Sequence, residues 1–312
     1  MKASIDDPEF ECQLAFRWAP VHYQDVDQTG SQSLGGKSDY LTAVDYDGDW
    51  VTTNNWENLP HFPASAVVYY SITESETHWF IIYAFYHPRD WKNDIEFETA
   101  HENDMEGCLL VVEKPAGANA ERFGVVRGMV AVAHLDFYSY VPEDSPWTDG
   151  PPHAWWRPGE NIDGVLRFET FDGLDHPVTY QEARGHALRA DVRDPFGGGD
   201  GIRYLPSLTL SEEPKHPNDR NVHYQLVDIF GETGLWSKRG DPNVFAKFGV
   251  FRGDTHGVNS ANAPWKWDDK DDGGRLQGGE LAVDPIKLIK IYFTGLGIFS
   301  EVYLSNRYQS II

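Results

Sequence analysis

The chain is poor in sulfur, with two cysteines, Cys12 and Cys108, and three methionines. Two thiols allow one disulfide at most, and the alternative is that each is a small buried apolar side chain. Long apolar runs are missing too: none approaches the ~20 residues of a membrane helix, so no transmembrane segment is expected. Basic residues are scarce, 26 lysines and arginines against 49 aspartates and glutamates, which leaves a formal net charge of −23. Without clustered cations to neutralise phosphate, nucleic acid is excluded as a partner class. Anionic lipid is disfavoured for the same reason, so any membrane-surface contact is transient. Glycans, small-molecule ligands and metal ions remain. The opening MKASIDDPEFECQL lacks the apolar segment of a signal peptide, which fits both a cytoplasmic protein and a mature secreted form. Also missing are a G-x-S-x-G elbow, a C-x-x-C pair, an H-E-x-x-H helix, a phosphate-binding P-loop, internal repeats and heptads.

Aromatic and turn-forming residues, by contrast, are plentiful: 11 tryptophans, 29 glycines and 19 prolines. This composition predicts an all-β fold, a mainly antiparallel β-sandwich with long loops and few short helices. Residues 1–13 read as a loose lead-in and 14–312 as a single elaborated domain, with 211–223 its most linker-like stretch.

The most informative stretch spans residues 79–113. Residues 79–86 are uninterrupted apolar and aromatic, which predicts a strand buried on both faces and closed by Pro88; 107–112 reads the same way, and the two are expected to be neighbouring central strands. Between them lies a polar loop with Asp90, Asp94, Glu96 and Glu98, then His101 to Glu106. A strand beginning near Asp104 puts Asp104 and Glu106 on one face, within reach of His101 from the loop. One imidazole and two or three carboxylates there make a divalent-metal site, because carboxylates suit calcium, magnesium and manganese and imidazole suits transition metals such as zinc. The alternative is an acidic solvated hairpin.

Residues 83–90, YAFYHPRD, followed by His101-x-x-Asp104-x-Glu106, resemble the signature of the necrosis- and ethylene-inducing-peptide-like proteins. The resemblance implies a β-sandwich cytolysin whose divalent cation, calcium or magnesium before manganese or zinc, is held here by Asp90, His101, Asp104 and Glu106. That family carries a second His and a Trp inside the heptapeptide, where this chain has Asn103 and Met105. Other stretches resemble the family of vacuolar protein sorting-associated protein 62 and its bacterial relatives: LAFRWAPVHY at 14–23, DYDGDW at 45–50 with NNWEN at 54–58, PVTY at 177–180 with GHA at 185–187, and APWKWD at 263–268. That second resemblance implies a fold rather than an activity.

Several other groups have two readings each. Residues 67–72 and 79–86 flank the polar turn TESETH and predict adjacent antiparallel strands. Residues 16–23, 245–251 and 286–293 also read as strands, and the apolar ending as closing strands. Asp25 and Asp27 are a carboxylate pair or turn residues. Asp45, Asp47 and Asp49 do not make an EF-hand, since the twelfth position is Trp56. Asp268, Asp269, Asp271 and Asp272 bind calcium or form a solvated loop. His134 alternates with Asp136 and Tyr138 on one predicted strand face; it is a further ligand or general base, or a half-buried hydrogen-bonded histidine. Trp155 and Trp156 stack on a sugar ring or cover the sheet edge. His186, in a short helix or turn at 182–190, is expected within one hydrogen bond or one water of the metal's outer face, where a general base stands; otherwise it is structural.

Three functions follow: a metal-dependent binder of a glycan or sugar-bearing lipid head group, cytolysin- or effector-like; a metal-dependent hydrolase of a phosphoester or glycoside with His186 or His134 as base; or a protein with a purely structural ion.

Overall fold

The computed structural model describes residues 4–93, 100–116, 121–196, 199–232, 234–253, 261–270 and 274–309; Asp94, Glu96, Glu98, Asp271 and Asp272 lie outside the described residues. The apolar runs become long strands: β1 (Val21–Asp25), β2 (Val67–Ser75), β3 (His78–Asp90), β4 (His101–Glu113), β5 (Val125–Ala133) and β6 (Asp136–Val141). With later strands they form one sheet in the order Leu188–Arg189, Leu174–Gln181, β1, Gly201–Ser207, Val222–Asp228, β2, β3, β4, β5, β6, Gly164–Val165.

The protein is mostly β, but the expected antiparallel sandwich gives way to one mixed sheet curled into a half-barrel. Pairing is antiparallel from β2 to β6. It is parallel between β1 and Leu174–Gln181, between Gly201–Ser207 and Val222–Asp228, and between Val222–Asp228 and β2. Parallel neighbours need crossover connections, and residues 208–221 are one of them. This stretch, read as linker-like, is tied to the sheet: Ala66 N–H donates to the Glu212 carbonyl at 3.0 Å and Ala64 N–H to Glu213 Oε1 at 2.9 Å. The curl brings Leu188–Arg189 against β4 and β5.

Central β3 and β4 are buried on both faces, which is why their sequences do not alternate. Ile81, Tyr83, Phe85, Cys108 and Leu110 face a core inside the curl with Leu14, Tyr204 and Tyr224. Phe80, Ile82, Ala84, Leu109 and Val111 face a second core with Trp236, Trp265 and Leu288. Each fully buried Leu, Ile or Phe contributes about 1.5–3 kcal/mol. Cys12 and Cys108 are both free thiols, Cys108 fully buried.

Two segments read as loose or extended are helical. Residues 8–13 belong to α1 (Pro8–Trp18), where Asp7 caps the Glu9 N–H, Pro8 fits the first turn, and Phe10, Leu14, Ala15 and Trp18 share one buried stripe. Pro20 ends it by holding Ala19 extended, so the first strand starts at Val21 rather than residue 16. Residues 285–292 form the helix Pro285–Tyr292 for the same reasons, with Asp284 as cap and Ile286, Leu288, Ile289 and Tyr292 buried. The 245–251 segment is a small hairpin, Phe245–Lys247 with Val250–Phe251, turning at Gly249. Of the closing strands, Tyr303–Ser305 pairs with β2. Among the described residues no helix is long and apolar enough to cross a membrane.

Candidate functional site

β3 does not stop at Pro88. It runs on to Asp90, and β4 starts at His101, so the predicted polar loop is largely two paired strands whose register matches His87 with Asp104 and Asp90 with His101. Asp104 and Glu106 share a face, as their spacing requires. His101 is an odd number of residues from Asp104, which in a regular strand would place it on the opposite face. The ladder skips Pro88, which has no N–H to give, and Asn103, which is left-handed at φ 60°. From the two sides of that break, Asp90 and His101 on one and Asp104 and Glu106 on the other line one cavity of about 750 Å³. His134, Leu135, Lys247, Phe251, Trp267 and Lys270 complete its wall.

Asn103 is the joint that holds this wall. It is fully buried; its Nδ2 donates to the Thr52 and Arg252 carbonyls at 3.0 Å each, and its Oδ1 accepts from Tyr86 Oη at 2.5 Å and Asn55 Nδ2 at 3.2 Å. Trp267 closes the floor, with Nε1 donating to the Met105 carbonyl at 2.9 Å. It lies over Gly107, where an added Cβ would sit 2.6 Å from its ring and 2.1 Å from the Tyr83 oxygen. Gly107→Ala is therefore expected to cost about 3 kcal/mol in a urea unfolding titration, the upper end for overpacking a core.

The four predicted ligands differ in how far the protein already engages them. His101 Nδ1 lies 3.2 Å from the Glu102 carbonyl and so donates there, leaving Nε2 as the free nitrogen 3.7 Å from Asp90 Oδ2. Asp90 takes no hydrogen bond from the described residues; burial first, then the charge of Asp104, pushes its carboxyl up to about 6. Asp104 Oδ2 accepts from His186 Nδ1 at 2.9 Å, and Oδ1 takes no hydrogen bond from the described residues. Glu106 accepts from the His134 N–H at 2.6 Å and the Leu188 N–H at 3.1 Å, and burial pushes it up to about 8. With Asp104 and Glu106 turned partly toward His186, His134 and Leu188, no three His, Cys, Asp or Glu side chains among the described residues stand ready-arranged around an ion.

His186 does return beside the hairpin, one hydrogen bond from Asp104, but behind it. The ring is fully buried, outside the cavity lining, with Nε2 3.3 Å from Asp39 Oδ1 and its face stacked on His87 at 3.7 Å. Burial opposes its charge, yet hydrogen bonds to the two carboxylates outweigh that and carry it up to about 10. The same interaction outweighs burial at Asp104 and holds its carboxyl below the ordinary value. Both ring nitrogens are thus engaged by carboxylates, and an imidazolium donating from both has no lone pair for a further proton. His134 sits in the two-residue β5–β6 turn at φ 60°, not on a strand face with Asp136 and Tyr138. Its ring lies between Glu106 at 3.4 Å and Glu182 at 3.2 Å, and hydrogen bonds to both raise its pKa.

Of the remaining candidates Asp268 also lines the cavity, and the others lie elsewhere. Trp155 and Trp156 are exposed, neither lining the cavity nor covering the sheet edge. Asp27 pairs with Arg184, with Nε at 2.6 Å, and Asp25 is half-buried. Asp47 and Asp49 make turn and side-chain hydrogen bonds to Asn58 and Val51. Asp268 pairs with Lys270, and buried Asp269 accepts from Tyr292. Sequence reasoning missed Asp39, which also accepts from Trp91 Nε1 at 2.7 Å and the Arg184 N–H at 2.8 Å. It missed Glu182 and Lys247 as well. No local motif marks these three; Asp39 and Glu182 meet the site through long-range contacts, and Lys247 reaches the cavity from the separate small hairpin.

No family model matches the chain, that of the vacuolar protein sorting family included, and no curated protein matches it. Among solved structures it is similar to one described as "Toxin fold for microbial attack and plant defense", at 16% identity over 90% of each chain and a TM-score of 0.36. It is similar to "NLPPya in complex with glucosamine", at 14% identity over 90% of each chain and a TM-score of 0.36. It is also similar to "Necrosis and Ethylene inducing Protein 2 from the causal agent of cocoa's Witches Broom disease", at 14% identity over 70% of this chain and 74% of that one, with a TM-score of 0.28.

Proposed function

We propose that this chain is a divalent-cation-dependent binding protein: Asp90, His101, Asp104 and Glu106 hold calcium or magnesium, or less favourably manganese or zinc, and the cavity receives a glycan or a sugar-bearing lipid head group. The observation that carries the reading is the free donor set. Asp104 Oδ1, both Asp90 oxygens and His101 Nε2 belong to side chains lining one cavity, and none of them takes a hydrogen bond from the described residues. Asp104 and Glu106 each face a histidine already, and the free oxygens of Asp90 and Asp104 favour a further positive charge in the cavity. When bound, the ion supplies that charge and coordination positions for ligand hydroxyls. Phe251, Trp267 and Leu135 offer apolar contact, and Lys247 a polar one. The sequence resemblance at residues 83–106 makes the reading a cytolysin- or effector-like one. The binding reading is preferred to a hydrolase because both histidines weighed as its base are engaged by carboxylates.

Calorimetric titration with glucosamine, mannosamine and a neutral methyl hexoside tests the proposal. Saturable binding with calcium present, lost on adding chelator, is the expected result. Sugar binding indifferent to chelation overturns the role of the ion. Calcium binding with no sugar response overturns the ligand class and makes the ion structural.

A further inference from the structure

A second cavity of about 750 Å³ shares no described lining residue with the first and carries charge of the other sign. Arg275, Lys287 and Lys290 border it, against two acids among its described lining residues, Asp284 and Glu301. Across the chain, aspartates and glutamates outnumber lysines and arginines by 49 to 26, so a wall where cations prevail runs against the composition.

This wall is built on the helix Pro285–Tyr292. Lys287 and Lys290 lie three residues apart, neighbours on one face where like charges repel, and both border the cavity. The start of the helix is pinned: Tyr303 Oη donates to Asp284 Oδ1 at 2.7 Å and accepts from the Ile286 N–H at 3.1 Å. Buried Ile286 and Ile291 give the cavity apolar surface beside the two lysines. Lys287 Nζ is held by Glu280, at 2.7 and 2.8 Å, and Glu280 stands outside the cavity lining. Glu301 differs. It meets Lys290 Nζ at 2.6 Å from within the lining, and the two side chains are open to water, 61% and 45% exposed. An ion pair so exposed contributes little to stability, so its carboxylate marks a place that another anion can take at small cost.

We infer that this cavity binds a phosphate monoester. The phosphate replaces the Glu301 carboxylate at Lys290 and meets Lys287 and Arg275, while the organic group rests against Ile286 and Ile291. A tetrahedral dianion offers separate oxygens to cations mounted at three separate points, and the guanidinium fork fits two of them. A carboxylate, planar and singly charged, matches fewer. Since the two cavities share no described lining residue, this site does not depend on the cation proposed for the first.

Isothermal titration of the full chain with phenyl phosphate, phenyl sulfate and inorganic phosphate, with chelator present throughout, tests the inference. Phenyl phosphate is expected to bind saturably, more tightly than the singly charged sulfate or the bare ion, and to weaken as chloride is raised. Lys290→Gln should lower its affinity by about tenfold or more, the effect of losing one charge-assisted contact. Glu301→Gln should raise it by about twofold or more, because the competing carboxylate is gone. Thermal midpoints of both variants should stay near that of wild type, since the pair they break is exposed. A wild type that does not bind phenyl phosphate, or prefers the sulfate, overturns the inference. So does affinity indifferent to Lys290→Gln, or lowered by Glu301→Gln, which would make Lys290 and Glu301 a surface ion pair and nothing more.

Discussion

Asp104→Asn is expected to weaken calcium or magnesium binding by more than about 100-fold, beyond the 10–100-fold typical of changes one shell further out. His186 beside it outweighs burial and holds its carboxyl below the ordinary value. The substitution removes a proposed ligand and also leaves the buried His186 with Asp39 as its one carboxylate hydrogen-bond partner among the described residues. Unfolding stability should therefore fall by about 3 kcal/mol, the lower end for breaking a buried ion pair, since Asp39 stays in place. Asp90→Asn separates the two effects. Its carboxylate faces the cavity and takes no hydrogen bond from the described residues, with His101 Nε2 3.7 Å away, so binding should weaken while the urea midpoint hardly moves. Equal stability losses in both variants, with cation affinity intact, would refute this division of roles.

Asn103→Ala is expected to be the most destabilising single change near the site, by about 3–4 kcal/mol. It leaves the Thr52 and Arg252 carbonyls without their amide donor and the Tyr86 hydroxyl without its acceptor. Buried polar groups stranded in this way cost about 1–3 kcal/mol each before relaxation. The alanine must also hold φ 60°, which costs a further ~1 kcal/mol. Asn103→Gly keeps the first loss and removes the second, so it should be about 1 kcal/mol more stable than the alanine variant. Two variants of equal stability would mean that the left-handed backbone carries no strain.

Asn103 also marks where the sequence could and could not be read. The apolar runs at 79–86 and 107–112 gave neighbouring central strands, because burial on both faces leaves a pattern that few other environments produce. The four ligand candidates likewise gathered on one cavity wall. What misled the reading of Pro88 was a local rule, that proline closes a strand, applied where the strand absorbs it through a left-handed residue opposite. Residues 285–292 show the same conflict: their apolar character fits a strand, but Asp284 and Pro285 cap and start a helix. The curl of the sheet has no local signature. It depends on parallel pairings such as Val21 with Val178, 157 positions apart. Those long-range pairings carry Asp39 and His186 to the back of Asp104, so the histidine foreseen beside the hairpin lies buried between two carboxylates.

The central claim is that Asp90, His101, Asp104 and Glu106 together hold a divalent cation. Isothermal titration of chelator-stripped protein with calcium, magnesium and manganese tests it most directly. The prediction is one saturable site for at least one of these ions, a thermal midpoint that rises with ion concentration as linkage requires, and loss of both in Asp90→Asn and Asp104→Asn. A stripped protein that gives no heat and no thermal shift with any of the three ions would contradict it.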